Sequence, residues 1–237
     1  MILTKCCHDL DLLVWIFGAC ESLSSSGSLT HFTRDAVGPE IPARCTDGCP
    51  IAEACPYFAP RVYLDRLREN PASFSVAAIT LDRTPEGVMR ALETGPYGRC
   101  VYRSDNDAVD HQVVLMRFAG GLSVSLTMQG SSHLEGRTVR IDGTRATLLA
   151  NEARGEVEIH DHRTGQAERI ARPRGVGGHG GGDDGLMRAF VGALRGDRAG
   201  TRTSAREAVA SHLLAFAAER ARVREEVVDM EAFRRSL

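Results

Sequence analysis

The feature that most constrains the fold is a run of extended segments, cut by turn residues, between His111 and Ala171. "HQVVLMRFAGGLSVSLTMQG" is two alternating runs joined at Gly120-Gly121, the pattern of a β-hairpin. "RTVRIDG", "TRATLLA", "GEVEIHDH" and "GQAERIA" follow as short strands, separated at Asp142-Gly143, Asn151 and Thr164-Gly165. Links this tight join antiparallel neighbours, because a parallel partner needs a crossover of about a dozen residues or more. The sheet is therefore expected to be open and mostly antiparallel.

Helical patterns flank it. "HDLDLLVWIFG" places Leu10, Leu13, Val14 and Phe17 at i, i+3, i+4 and i+7 and closes on Gly18. Residues 85–94 read as a short helix ending at Gly95. "DDGLMRAFVGALRG" aligns Leu186, Phe190, Val191 and Leu194 on one side, and its aspartates are suited to cap it. "SAREAVASHLLAFAAERAR" follows, with Ser204 as N-cap and an Ala/Leu/Phe face. "ESLSSSGSLTHF" reads as an irregular strand, and residues 39–60 as a Cys/Pro-rich excursion without period. The predicted fold is α+β: one domain over residues 1–237, with an open, mostly antiparallel sheet and helices packed on one face.

Composition excludes several classes. A net charge of −2 supplies no attraction for nucleic acid or an anionic membrane. No apolar run reaches the ~20 residues of a membrane helix. Lys5, His8, Asp9 and Asp11 interrupt the apolar N-terminus, which speaks against a signal peptide and for a cytoplasmic protein. Seven cysteines, an odd number, point to reduced thiols rather than a disulfide scaffold.

Three of those thiols, Cys45, Cys49 and Cys55, have spacing C-x3-C-x5-C. Zinc takes four ligands, so a zinc reading needs a fourth from Cys6, Cys7 or His31. The other reading is that the thiols are small buried hydrophobes. "HDH" at 160–162 has metal-like spacing but falls at an expected turn.

"RGVGGHGGGDDGLMRAF" contains a literal G-x-G-x-x-G at Gly175, Gly177 and Gly180. A dinucleotide fingerprint follows a buried strand inside a β–α–β unit. Here "ERIARPR" precedes it, with Pro173 and three arginines, and six glycines in eight positions produce the pattern by chance. Two readings stay open for this loop: backbone passing close to a ligand, with His179 beside it, or a plain surface loop.

"LTKCCHDLD" crowds Lys5, His8, Asp9 and Asp11 at the start of a helix. Among 29 basic residues Lys5 is the only lysine, and unlike arginine it can exchange a proton. The chemistry within reach is proton transfer by His8 and Lys5; the alternative is a purely structural helix start.

"KCCHDLDLLVWIFG", "GSLTHF", "RCTDGCPIAEACPYFA", "YRSDNDAVDHQVVLMRF" and "GGHGGGDDGLMRAF" resemble, in order, the C-terminal part of Gfo/Idh/MocA-type oxidoreductases. The resemblance implies an α+β domain whose open sheet forms much of the substrate site and commonly an oligomer interface. It implies NAD or NADP as cofactor, held in that family by an N-terminal Rossmann domain with no counterpart in these 237 residues. The expectation is thus the substrate-binding part of an oxidoreductase acting on a sugar, polyol or related small polar metabolite. Inactive alone, it would reflect a truncated start or a split protein that pairs with a nucleotide-binding chain, and it would form a homo-oligomer through the sheet face.

Carried over by position, His8 matches the catalytic histidine in its H-D-x-D form, followed by Asp9 and Asp11. The family's aspartate four residues earlier is Thr4 here, which makes Lys5 the replacement candidate. The implied catalytic residues are His8, Lys5 and Asp9; the implied substrate-side residues are Asp11, His179 and Gly180. A second reading is a non-catalytic oligomerisation or binding module, stapled by metal.

Overall fold

Every expected hairpin is present in the computed structural model, which describes residues 1–132, 136–171, 178–197 and 204–237. The elements run α1 (Ile2–Lys5), α2 (Cys7–Phe17), β1 (Cys20–Ser28), α3 (Ala59–Glu69), α4 (Phe74–Ala77), α5 (Pro85–Thr94), β2 (His111–Phe118) and β3 (Ser123–Gln129). They continue as β4 (Thr138–Asp142), β5 (Ala146–Asn151), β6 (Glu156–Asp161), β7 (Ala167–Ala171), α6 (Gly182–Leu194), α7 (Ala205–Arg224), β8 (Val228–Asp229) and α8 (Met230–Arg235). The α+β class and the antiparallel pairing agree with the sequence. The strands, however, divide between two four-stranded sheets, β3-β2-β1-β8 and β4-β5-β6-β7, where the sequence suggested one. The chain accordingly forms two compact units, Met1–Gln129 with Leu214–Leu237, and Gly130–Leu213.

In the first unit the β2–β3 hairpin turns at Gly120 (φ +77°) and Gly121 (φ +83°), left-handed positions that glycine occupies without a Cβ penalty. Val114 pairs with Leu126 and Met116 with Val124, while β1 sets Leu23 opposite Met116. Gln112, Val114, Met116 and Phe118 are at most 3% exposed, so this side of the sheet is covered. The aromatic ring of Phe17 meets Phe118 edge to face at 5.9 Å, which lays α2 on that side. Arg222 of α7 donates to the Gly27 carbonyl of β1 at 3.4 Å. Gly27 itself permits the close β1–β2 approach: a Cβ there would collide with the His111 carbonyl. Leu10, Leu23, Val114, Phe118, Leu214 and Met230 are among the fully buried large residues of this unit, each contributing roughly 1.5–3 kcal/mol. A second cluster joins Leu67 of α3, Val76 of α4, and Val88 and Leu92 of α5. Helix α5 has the predicted limits: the Thr84 hydroxyl accepts the Gly87 N–H, and Gly95 ends it.

The second unit's sheet is a meander with the turns read from sequence. Gly143 N–H donates to Ala146 O at 3.0 Å, and the Asp161 carboxylate accepts the Thr164 N–H at 2.7 Å before Gly165 (φ +67°). Ser204 caps α7 in a reciprocal box: its hydroxyl accepts the Glu207 N–H, and the Glu207 carboxylate accepts the Ser204 N–H. Two expectations need correction. The α6 stripe (Leu186, Phe190, Val191, Leu194), on a helix expected to cover the sheet, is exposed. Asp183 and Asp184 lie inside α6 and do not cap it; Gly181 (φ +88°) is the N-cap, without a side-chain bond.

Candidate functional site

The N-terminal cluster sits on a nearly continuous pair of helices. Lys5 ends α1, Cys6 breaks the helix (φ −98°, ψ 5°), and His8 is the second residue of α2. His8 and Lys5 are exposed, Asp9 and Asp11 half-buried. The Cys7 thiol lies 3.3 Å from His8 Nδ1, which leaves Nε2 as the ring atom able to meet a substrate. The N-cap position of α2 is Cys6, whose side chain makes no capping bond, and His8 stands two residues on.

The glycine loop is described only from residue 178; Gly175 and Gly177 lie outside the described residues. His179 adopts a left-handed conformation (φ 47°, ψ 39°), rare for a residue with a Cβ. Its Nδ1 stands 2.8 Å from Asp183 Oδ1, with both side chains exposed. Gly180 (φ +64°) and Gly181 continue the left-handed path into α6.

The excursion around Cys45, Cys49 and Cys55 has no helix or strand, yet arginines bond several carbonyls in it and beside it. Arg61 donates to the carbonyls of Ala52, Glu53 and Cys55, and Arg44 to those of Leu92 and Gly95. Arginine forks do here what a ladder does in a sheet. Arg44 pairs with Arg99 in an isolated antiparallel bridge. Around it Cys45 N–H donates to Gly98 O at 2.9 Å and Cys100 N–H to Ala43 O at 2.8 Å. Cys100 is thereby brought beside the other three thiols, a neighbour that sequence spacing did not suggest. Burial pushes the Cys45 thiol up, and the charges of Cys100, Cys49 and Cys55 add to that. The three ligand candidates taken from sequence fare differently. Cys6 and Cys7 belong to the α1–α2 junction, whereas His31 stacks edge-on against Tyr57 (5.8 Å) and Tyr102 (5.5 Å). All seven cysteines are free thiols, and among the described residues no three His, Cys, Asp or Glu side chains already stand in metal-holding geometry. The "HDH" residues are engaged locally: His160 Nε2 with Glu158 at 3.2 Å, His162 Nε2 with Thr147 at 3.1 Å.

A further polar hub escaped sequence reasoning. Asp110, 6% exposed, accepts the backbone N–H groups of Thr30 (3.0 Å), His31 (2.6 Å) and Phe32 (3.2 Å), and its other oxygen stands 2.9 Å from His111 Nδ1. Burial alone would raise its carboxyl, but the His31 N–H, the His111 ring and the Phe32 and Thr30 N–H groups outweigh it and hold it well below the usual range. Ser28 Oγ meets His111 Nε2 at 3.3 Å, so the hub ties the end of β1 to the start of β2. Only the D-N-D-A-V-D-H run hinted at it; its partners lie some 80 residues earlier.

The outer face of the first sheet is open. Ser22, Ser24, Ser26 and Ser28 share it with Val113, Leu115 and Arg117, and Leu115 is 56% exposed.

Comparison with known proteins adds the following. The model of the Gfo/Idh/MocA "Oxidoreductase family, C-terminal alpha/beta domain" matches residues 1–230. YteT of Bacillus subtilis (strain 168), named only provisionally as an oxidoreductase, is 27% identical over 198 residues, 77% of this chain and 44% of YteT. An oxidoreductase from Agrobacterium radiobacter, solved with NAD+, L-tartaric acid and magnesium, has a similar fold (TM-score 0.56, 13% identity), covering 98% of this chain and 49% of that one. Levoglucosan dehydrogenase with NADH and levoglucosan is also similar (TM-score 0.54, 14% identity), over 95% of this chain and 48% of that one. The chain thus spans about half the length of these solved relatives.

Proposed function

This chain belongs to the Gfo/Idh/MocA oxidoreductase family, as its C-terminal α/β domain, and from that premise we propose that it is the substrate side of an NAD(P)-dependent oxidoreductase. Its substrate is a sugar, polyol or related small polar metabolite, and its place is the cytoplasm. The described residues build no parallel β–α–β unit. All their strand pairs are antiparallel, whereas a dinucleotide fold is built on parallel β–α–β units. The roles assigned to this chain are therefore proton and binding roles.

The observation that carries the reading is His8, exposed at the start of α2 with Nδ1 held by Cys7 and the H-D-x-D run completed by Asp9 and Asp11. His8 Nε2 takes the proton of the substrate hydroxyl on oxidation and returns it in the reverse direction. Lys5 and Asp9 exchange that proton onward, and Asp11 holds a substrate hydroxyl. The open serine-rich face of the first sheet, with Val113 and Leu115 outward, docks a second copy of the chain. In a preparation combined with its nucleotide-binding half, His8→Ala is expected to lower kcat about 10²–10⁴-fold. Unchanged turnover would refute the role of His8.

Thr4, standing where the family has an aspartate, favours a second reading: a binding and assembly module without turnover. Self-association that persists while no polyol or sugar is oxidised in the combined preparation is the result that reading expects.

A further inference from the structure

We propose that Cys45, Cys49, Cys55 and Cys100 form a four-thiolate site for one thiophilic divalent ion, zinc. The Arg44–Arg99 bridge sets the first pair. Cys45 and Cys100 each follow a bridged residue, so strand alternation turns both to the same side, as diagonal neighbours. Diagonal Cα atoms lie about 7–8 Å apart, with the side chains nearer. The second pair comes from the bonded turns that follow: Ala52 N–H to Cys49 O (3.3 Å) and Cys55 N–H to Ile51 O (2.8 Å), with Arg61 clamped onto the carbonyls of Ala52, Glu53 and Cys55. Cys49, Cys55 and Cys100 pack in one apolar cluster with Ile41, Ile51 and Tyr102, and Cys45 packs in the cluster of Ala59 and Leu67. Cys45 and Cys100 are buried (8% and 7% exposed), whereas Cys49 and Cys55 are half-buried, which leaves an entry path for the ion.

The chemistry selects the ligand. Four sulfur donors prefer zinc or an iron–sulfur cluster over magnesium or calcium, and a tetrahedral zinc site is closed and structural. It also answers a physical need: the excursion lacks helix and strand, and a metal cross-link stabilises such a segment outright. Zinc–sulfur bonds of about 2.3 Å require the thiols to close by side-chain rotation on binding, since no three are yet in ligating geometry. Each thiol that binds gives up its proton. Four thiolates around one divalent ion leave a net charge of −2 on the site. The site is independent of the role given to His8.

The test is metal and thiol analysis of the full chain purified without chelators. One zinc per chain is expected, reduced at least tenfold in Cys100→Ser and in Cys49→Ser but unchanged in Cys7→Ser and Cys20→Ser. Should a variant fail to fold, chelator-stripped wild type titrated with Co²⁺ supplies the second reading. Thiolate-to-cobalt charge transfer with tetrahedral bands at one cobalt per chain supports the site. Absence of stoichiometric metal together with absence of those bands overturns it. Iron with inorganic sulfide overturns the single-ion assignment, and zinc retained in Cys100→Ser overturns the fourth ligand.

Discussion

In the first unit's sheet Gln112, Val114, Met116 and Phe118 are nearly sealed from water, whereas no strand residue of the second unit's sheet, β4 to β7, is among the buried ones. Both sheets are antiparallel, four-stranded and joined by tight turns, so pairing does not distinguish them. Burial does. In the first unit α2 lies over the inner face through Phe17 and Phe118, and Arg222 bonds α7 to β1. The second sheet is half-buried at best, and β7 is exposed throughout. Ladder hydrogen bonds determine how strands align. Apolar area removed from water determines how much a sheet contributes to stability.

The largest effect is expected in the sealed face. Phe118→Ala should cost about 3–5 kcal/mol, since a fully buried ring leaves a cavity. Ile170→Ala in β7, where the side chain is exposed, should stay within about 0.5 kcal/mol. Urea unfolding curves of the two variants measure the contrast, and equal losses would break it.

Next comes the hub that joins β1 to β2. Asp110→Asn removes the charge from a carboxylate bonded to three backbone N–H groups and should cost about 1.5–3 kcal/mol at neutral pH. The sign follows from its lowered folded-state pKa. The stabilisation is present above the unfolded aspartate value of about 3.9 and is lost as pH falls toward the lower folded value. Unfolding free energies of wild type and variant should therefore converge in acid; a gap that widens there contradicts the assignment.

Smaller effects belong to the second unit. Ser204→Ala breaks the capping box of α7 and should cost about 1 kcal/mol, read by faster amide exchange in the first turn of that helix. Arg169→Ala removes an exposed ion pair to Glu158 (2.7 Å) on β6 and should cost less than about 1 kcal/mol, shrinking further in salt. A large loss there would mean that the open sheet is held by charge, against the contrast drawn above.

Much of this architecture is local and was readable. Gly120-Gly121, Gly143 and Gly165 mark turns because their positions require or favour a missing Cβ, and Gly18, Gly95, Thr84 and Ser204 mark helix ends because orphan N–H and C=O groups need partners. The His8 run was readable for the same reason: its residues are neighbours in the chain. Less readable was which face of an element meets the core. In "HQVVLMRF" the polar Gln112 is buried and the apolar Leu115 exposed, the reverse of their hydropathy. Inside, the Gln112 amide nitrogen donates to Ser25 at 2.9 Å, while its buried Oε1 has no hydrogen-bond partner. The stripe on α6 had helical period and still stayed exposed.

By itself, then, the sequence determined the hairpins, the limits of several helices, the antiparallel pairing and the clustering of Lys5, His8, Asp9 and Asp11, since each depends on groups a few residues apart. Only the tertiary structure decided the split into two sheets, the Asp110 hub and the meeting of Cys100 with Cys45. Those depend on segments tens of residues apart, and their contacts form only when burial of apolar surface outweighs the entropy of closing the chain between them.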